Sequence, residues 1–160
     1  MAYLSRDVFL AVISNTPLVS IDLIIRNADN AILVGRRINE PAKNYWFVPG
    51  GRIRKDETLE AAFARLTQHE LGRGYGIEQA KLLGAFTHQY DNNALSEPGV
   101  TTHYVVLAYE IPLDETGFDL SAQHGDARWL TRAQVEGDAD LAREVHANVL
   151  PYLPTSISTR

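Results

Sequence analysis

A chain of 160 residues, 45% apolar and 22% charged, has the size and composition of one globular domain that can bury its own core. It contains no cysteine, which excludes disulfides, thiolate metal sites and a catalytic thiol, and which fits a reducing cytoplasm. A net charge of −5 argues against a general nucleic-acid binder, yet leaves room for a small phosphorylated ligand held by a few arginines. Taken in chain order, the apolar run at 8–13 is too short to span a membrane, and because Asp7 offsets Arg6 it is not expected to carry a basic n-region of the secretory type. It reads as a short amphipathic helix with Asp7 as N-cap. Residues 18–25 alternate and are β-branched, which predicts a strand; 31–34 predicts a second, joined through the turn-like 27–30. A loop at 41–44 leads to a short buried strand at 46–48, which Pro49-Gly50-Gly51 stops.

Helical spacing then runs over 57–71, with Leu59, Ala62, Phe63 and Leu66 on one stripe and Gly72 as C-cap. Strands follow at 81–90 and 101–111 around a polar loop. Residues 114–126 read as irregular, 128–130 as a short strand, and 140–150 as a final amphipathic helix. No repeat or long linker divides the chain, so one domain over 1–160 is expected. Strands before and after a central helix, with another helix at the end, predict a layered α/β or α+β domain.

The chemistry concentrates in residues 50–72. Gly51 is followed by five residues and Glu57, then by seven and Arg65, with Glu70 and Gly72 at fixed offsets. Residues i, i+3 and i+4 of a helix share one face, the kind of face that gathers carboxylates for a hard cation. Glu57, Arg65 and Glu70 could form a solvated ion-paired face; the glycine loop and the offsets favour a functional one. Gly50 and Gly51 read as a turn needing positive φ. An acid within an apolar strand needs a partner, so Asp22 stands out as functional. His88 and His103 have ordinary readings as strand histidines, Tyr104 as a core aromatic, Arg36 and Arg37 as a charged strand end, and His124 as a solvated loop residue.

The strand, glycine turn and helix with these offsets resemble the Nudix box, over about a seventh of the chain. That pattern implies acids at 66, 69 and 70; Leu66 and His69 stand at two of these positions and only Glu70 is acidic, a departure that resembles the family's GDP-mannose mannosyl hydrolase branch. Residues 18–22, 45–52, 101–107, Gln123-His124 and 128–130 are similar to segments of that branch, so the likeness runs from about residue 16 to 130. It implies a mixed β-sheet sandwiched between α-helices (α/β/α) and hydrolysis of GDP-mannose, and of GDP-glucose as a further candidate, to GDP and free sugar. One Mg²⁺ per site would be held by the Gly50 carbonyl, Glu70 and Gln123. His124 would be the general base; Arg37, Arg52 and Tyr104 would serve the diphosphate and catalysis; Asp22 and His88 would meet sugar hydroxyls; Arg65 would keep the acidic site in register. The resemblance further implies a cytoplasmic homodimer acting on a small nucleotide sugar, with neither nucleic acid nor membrane as partner. Two alternatives are a phosphoanhydride hydrolase attacking phosphorus and a module that binds a nucleotide sugar without cleaving it.

Overall fold

The apolar strand near the start of the chain becomes the centre of the sheet. In the computed structural model, which describes residues 4–113 and 126–155, the strands are β1 (Leu18–Arg26), β2 (Ile32–Arg36), β3 (Trp46–Phe47), β4 (Gly50–Arg52), β5 (Lys81–Tyr90), β6 (Thr102–Pro112) and β7 (Ala127–Leu130). Their order is β3-β2-β1-β6-β5, with β4 also paired to β1 and β7 to β2. The β1–β6 pair is parallel, from Leu18 opposite Tyr104 to Arg26 opposite Pro112, and the other named pairs are antiparallel. This is an α+β fold with a mixed sheet covered by helical layers.

Side chains of β1 alternate across the sheet, which divides the interior into two cores. Ile21, Leu23 and Ile25 face α2 (Leu59–Leu71), packing with Ala62, Phe63, Leu66 and Leu71. On the other face Ile24, Val34, Phe47 and Leu130 pack with Val135, Leu141, Val149 and Tyr152 from the C-terminal segments. Those segments are α3 (Arg132–Glu136), α4 (Ala139–Glu144) and a 3₁₀ turn (Ala147–Tyr152). No helix among the described residues is long and apolar enough to cross a membrane.

Several local expectations change. The first helix, α1 (Arg6–Asn15), is capped by Ser5, whose hydroxyl accepts from the Val8 amide; Asp7 lies inside the first turn. α2 starts two residues late because Thr58 caps it by accepting from the Ala61 amide, so Glu57 lies outside the helix. Leu59 is 39% exposed, and the buried stripe consists of Ala62, Phe63 and Leu66. Gly72 does end α2 in the left-handed conformation, with φ of 74°. The helix expected over 140–150 is broken: Val145 turns extended and bridges Trp46, and the His146 amide donates to the Trp46 carbonyl at 3.2 Å. Backbone pairing with β3 wins there over helical spacing.

The glycine stop after residue 48 proves to be a strand. Gly50 to Arg52 pair with β1, setting Asp22 opposite Gly50 and Ile21 opposite Gly51. Neither glycine has positive φ; those among the described residues that do are Gly72, Gly84 and Gly99. What requires glycine is close approach. A Cβ on Gly50 would stand 2.2 Å from the Ile21 carbonyl oxygen, and one on Gly51 would stand 2.5 Å from Leu66 Cδ2. Residues 114–125, most of the stretch read as irregular, lie outside the described residues.

Candidate active site

Pairing of β1 with both β4 and β6 opens a cavity of about 80 Å³ beside the glycine strand. Its lining includes Ser20, Asp22, Arg37, Gly50, Gly51, His88, Tyr90 and Tyr104. The structure therefore brings together Asp22, Arg37, Gly50, His88 and Tyr104 from four strands and the end of β2. Asp22 and His88 both point toward the C-terminal side of the sheet, because the parallel register sets Asp22 against Ala108 and the antiparallel one sets His88 against Tyr104.

Asp22 is 7% exposed and His88 4%. The Tyr152 hydroxyl donates to Asp22 Oδ2 at 2.8 Å and stands 3.5 Å from His88 Nε2. His88 Nδ1 lies 4.0 Å from the same Asp22 oxygen. Burial pushes the Asp22 carboxyl up to about 7, partly opposed by the Tyr152 hydrogen bond and the Arg37 charge. Burial also pushes His88 down to about 4, assisted by the nearby His146. At neutral pH the pair is thus a neutral imidazole beside a carboxyl balanced between its two forms.

Around this cluster the remaining walls are aromatic or cationic. Burial raises Tyr104, against the pull of Arg37 and Arg52, and raises Tyr90 to about 12. Both hydroxyls therefore stay protonated and can donate. Arg37 Nε donates to the Pro41 carbonyl at 2.7 Å, which fixes its guanidinium at the cavity. Arg36, its neighbour, is structural: it lies over the Trp46 ring at 4.7 Å and pairs with Glu144 at 3.1 Å. Arg52 does not line the cavity; its charge acts on Tyr104 while its guanidinium sits over Phe9 at 5.5 Å.

On the far side of Gly51 the helix α2 presents its degenerate face. Leu66 is 3% exposed and fills the space under Gly51 with hydrocarbon. The His69 side chain is 60% exposed, with Nδ1 3.6 Å from Glu70 Oε1, and the Glu70 side chain is 13% exposed. Arg65 grips Glu57 with Nε at 2.7 Å and Nη2 at 2.8 Å, and Nη2 also donates to the Arg52 carbonyl at 2.9 Å. With the Arg54 amide donating to Glu57 at 2.7 Å, this clamp ties the loop before α2 to the end of β4, and Arg65 holds Glu57 below its usual carboxylate range.

Among the described residues no three acidic or histidine side chains gather as a metal cluster. The two expected ligands within the described residues, the Gly50 carbonyl and the Glu70 carboxylate, are hard oxygens by their chemistry. That set fits a magnesium-like cation which keeps waters and shares phosphate oxygens with a substrate. Gln123 and His124, the expected third ligand and base, lie outside the described residues.

Two contributors escaped the sequence. Tyr152 and Tyr90 carry no motif, and the Tyr152–Asp22 contact spans 130 positions; Ser20 entered only within the family-like segment 18–22, with no role of its own. An apolar C-terminal segment ending in a tyrosine was the one visible hint.

The NUDIX domain family model matches residues 16–153. A curated relative, the low-salt glycan biosynthesis protein Agl8 of Haloferax volcanii, is 41% identical over 123 residues, covering 76% of this chain and 76% of that protein. The crystal structure of the MutT protein from Methanosarcina mazei Go1 is similar with a TM-score of 0.64 at 18% identity, over 86% of this chain and 91% of that one. A bifunctional NMN adenylyltransferase/ADP ribose pyrophosphatase from Francisella tularensis, complexed with AMP and a Mn ion, matches with a TM-score of 0.56 at 18% identity, over 88% of this chain and 41% of that one. These two likenesses concern the fold.

Proposed function

The chain belongs to the NUDIX domain family, and from that premise we propose that it hydrolyses GDP-mannose to GDP and free mannose, by attack of water on the anomeric carbon. The observation that carries this reading is one cavity holding two kinds of chemistry. Asp22 and His88, backed by Tyr152 from outside the lining, suit sugar hydroxyls, and Arg37 with Tyr104 suits a diphosphate. Meanwhile Leu66 places hydrocarbon where a second carboxylate would equip attack at phosphorus. The glycan-biosynthesis name of the Haloferax relative supports a sugar nucleotide as substrate.

In this reading the chain's own groups stabilise the leaving diphosphate. Arg37, fixed through Pro41, and Tyr104, kept protonated by burial, face the charge that grows on the bridging oxygen. A Mg²⁺ held by the Gly50 carbonyl, Glu70 and Gln123 would add Lewis-acid neutralisation of the same diphosphate. Asp22 and His88 orient the sugar. His124 takes the proton from the attacking water. Direct displacement inverts the anomeric configuration. The enzyme works in this account as a cytoplasmic homodimer, with a small nucleotide sugar as its partner.

Hydrolysis in ¹⁸O-labelled water tests the bond that breaks. Attack at carbon puts the label in mannose, released first as the opposite anomer, and leaves GDP unlabelled. Label in GMP or in mannose phosphate would show attack at phosphorus, and binding without turnover would show a binding module; either outcome removes the proposed activity and leaves the family membership standing.

A further inference from the structure

The C-terminal 3₁₀ turn (Ala147–Tyr152) does more than close a core. Tyr152 is 4% exposed, and its ring is held by packing that does not involve the hydroxyl: it meets Phe86 edge-on, with centroids 5.3 Å apart and planes at 89°. From that fixed ring the hydroxyl donates to Asp22 Oδ2 at 2.8 Å. The other carboxyl oxygen is turned toward the glycine strand, since a Cβ on Gly50 would meet Asp22 Oδ1 at 3.1 Å. Oδ2 is thus occupied within the protein, and Oδ1 lies beside Gly50, which lines the cavity together with Asp22.

The same turn backs a second wall. Asn148 Nδ2 donates to the Tyr90 hydroxyl at 3.2 Å, and the His146 ring stacks near Phe47 and Tyr90 at 5.5 Å and 5.4 Å. Phe47 and Tyr90 both line the cavity. Three residues of one short segment therefore touch side chains that form the cavity, although none of the three belongs to the glycine-helix motif.

We propose that Tyr152 is a positioning residue for recognition of the glycosyl group: by holding Asp22 Oδ2 it presents Oδ1 to sugar hydroxyls. This rests on the nucleotide-sugar reading given above. A carboxylate free to rotate would share its hydrogen bonds among several geometries; one fixed at Oδ2 offers a single acceptor direction, which discriminates between sugars that differ in hydroxyl orientation. A tyrosine serving only to satisfy a buried carboxyl would instead affect stability and leave sugar recognition unchanged.

Tyr152→Phe separates the two, because it keeps the packed ring and deletes one oxygen. Initial rates in Mg²⁺ give KM for GDP-mannose, and inhibition gives Ki for GDP, which lacks the sugar. Tyr152→Phe is expected to raise KM about tenfold, the usual worth of a hydrogen bond to a charged group, with Ki for GDP within about twofold of the parent. In an Asp22→Asn background the same change should raise KM less than about twofold, since its target is already altered. An unchanged KM, a Ki that rises in step with KM, or a full tenfold effect in the Asp22→Asn background would each overturn the role of Tyr152. A parent enzyme inert toward GDP-mannose would instead overturn the substrate reading, and this proposal with it.

Discussion

Asp22 and His88 share one buried site, yet their protonation drives stability in opposite directions. Asp22 goes from an ordinary 3.8 to about 7 in the folded protein, so between these values the folded state binds the extra proton, and its contribution to stability falls as pH rises. His88 goes from 6.5 to about 4, so between these values the unfolded state binds the extra proton, and its contribution falls as pH drops. From about pH 4 to 6.5 the two slopes offset each other. Asp22→Asn is expected to gain thermal stability relative to the parent as pH rises from about 4 to 7, and His88→Gln to gain it as pH falls from 6.5 to about 4. Thermal unfolding of the three proteins across that range checks this; three parallel curves would contradict the burial of both groups as ionisable neighbours. At this scale the sequence spoke clearly about Asp22, because an acid inside an apolar strand demands a partner. It was silent about which partner, since Tyr152 lies 130 positions away and no local pattern couples them.

Between β4 and α2 the requirement for glycine is steric, and the two glycines differ in what confines them. A Cβ on Gly50 would meet the Ile21 carbonyl oxygen, which cannot retreat without disturbing the β1–β4 pairing. A Cβ on Gly51 would meet the end of the Leu66 side chain, which can be shortened. Each alanine is expected to cost about 1–3 kcal/mol, the range for overpacking, with Gly50→Ala the more severe. In a Leu66→Val background the cost of Gly51→Ala should shrink while that of Gly50→Ala stays, as read by denaturant midpoints. Equal behaviour of both glycines in that background would refute this division. The element pattern itself was mostly legible: strong alternation and helical spacing gave β1, β5, β6 and α2 within a few residues. Where it misled, backbone pairing with a distant strand decided the outcome, as for Gly50 to Arg52 on β1 and for Val145 on Trp46. The likeness to the family motif placed residues 66, 69 and 70 on one face, but only packing showed Leu66 wedged beneath Gly51.

At the scale of the whole molecule one sheet serves as the wall of two cores, and the site sits where a C-terminal segment seals the second of them. Composition and element order reached the layered architecture. They could not reach the strand order, because placing β1 parallel to β6 depends on contacts more than 80 residues apart. That long-range closure makes the segment 145–153 part of the second core and brings Tyr152 against Asp22 beside the cavity. A chain ending at Glu144 would lose Val145, Val149 and Leu153, which are 4%, 0% and 2% exposed. Burial of such side chains is worth roughly 1.5–3 kcal/mol each, and a domain of this size is stable by only about 5–15 kcal/mol in total. The same cut uncovers Ile24, Val34, Phe47 and Leu130 of the second core and strips Asp22 of its hydrogen-bond donor. The truncated chain is therefore expected to show no cooperative thermal transition, and circular dichroism during heating reads this directly. A sharp transition within a few degrees of the full chain would mean that the α2 side of the sheet folds without the other, and that the C-terminal turn is an accessory rather than a wall of the structure.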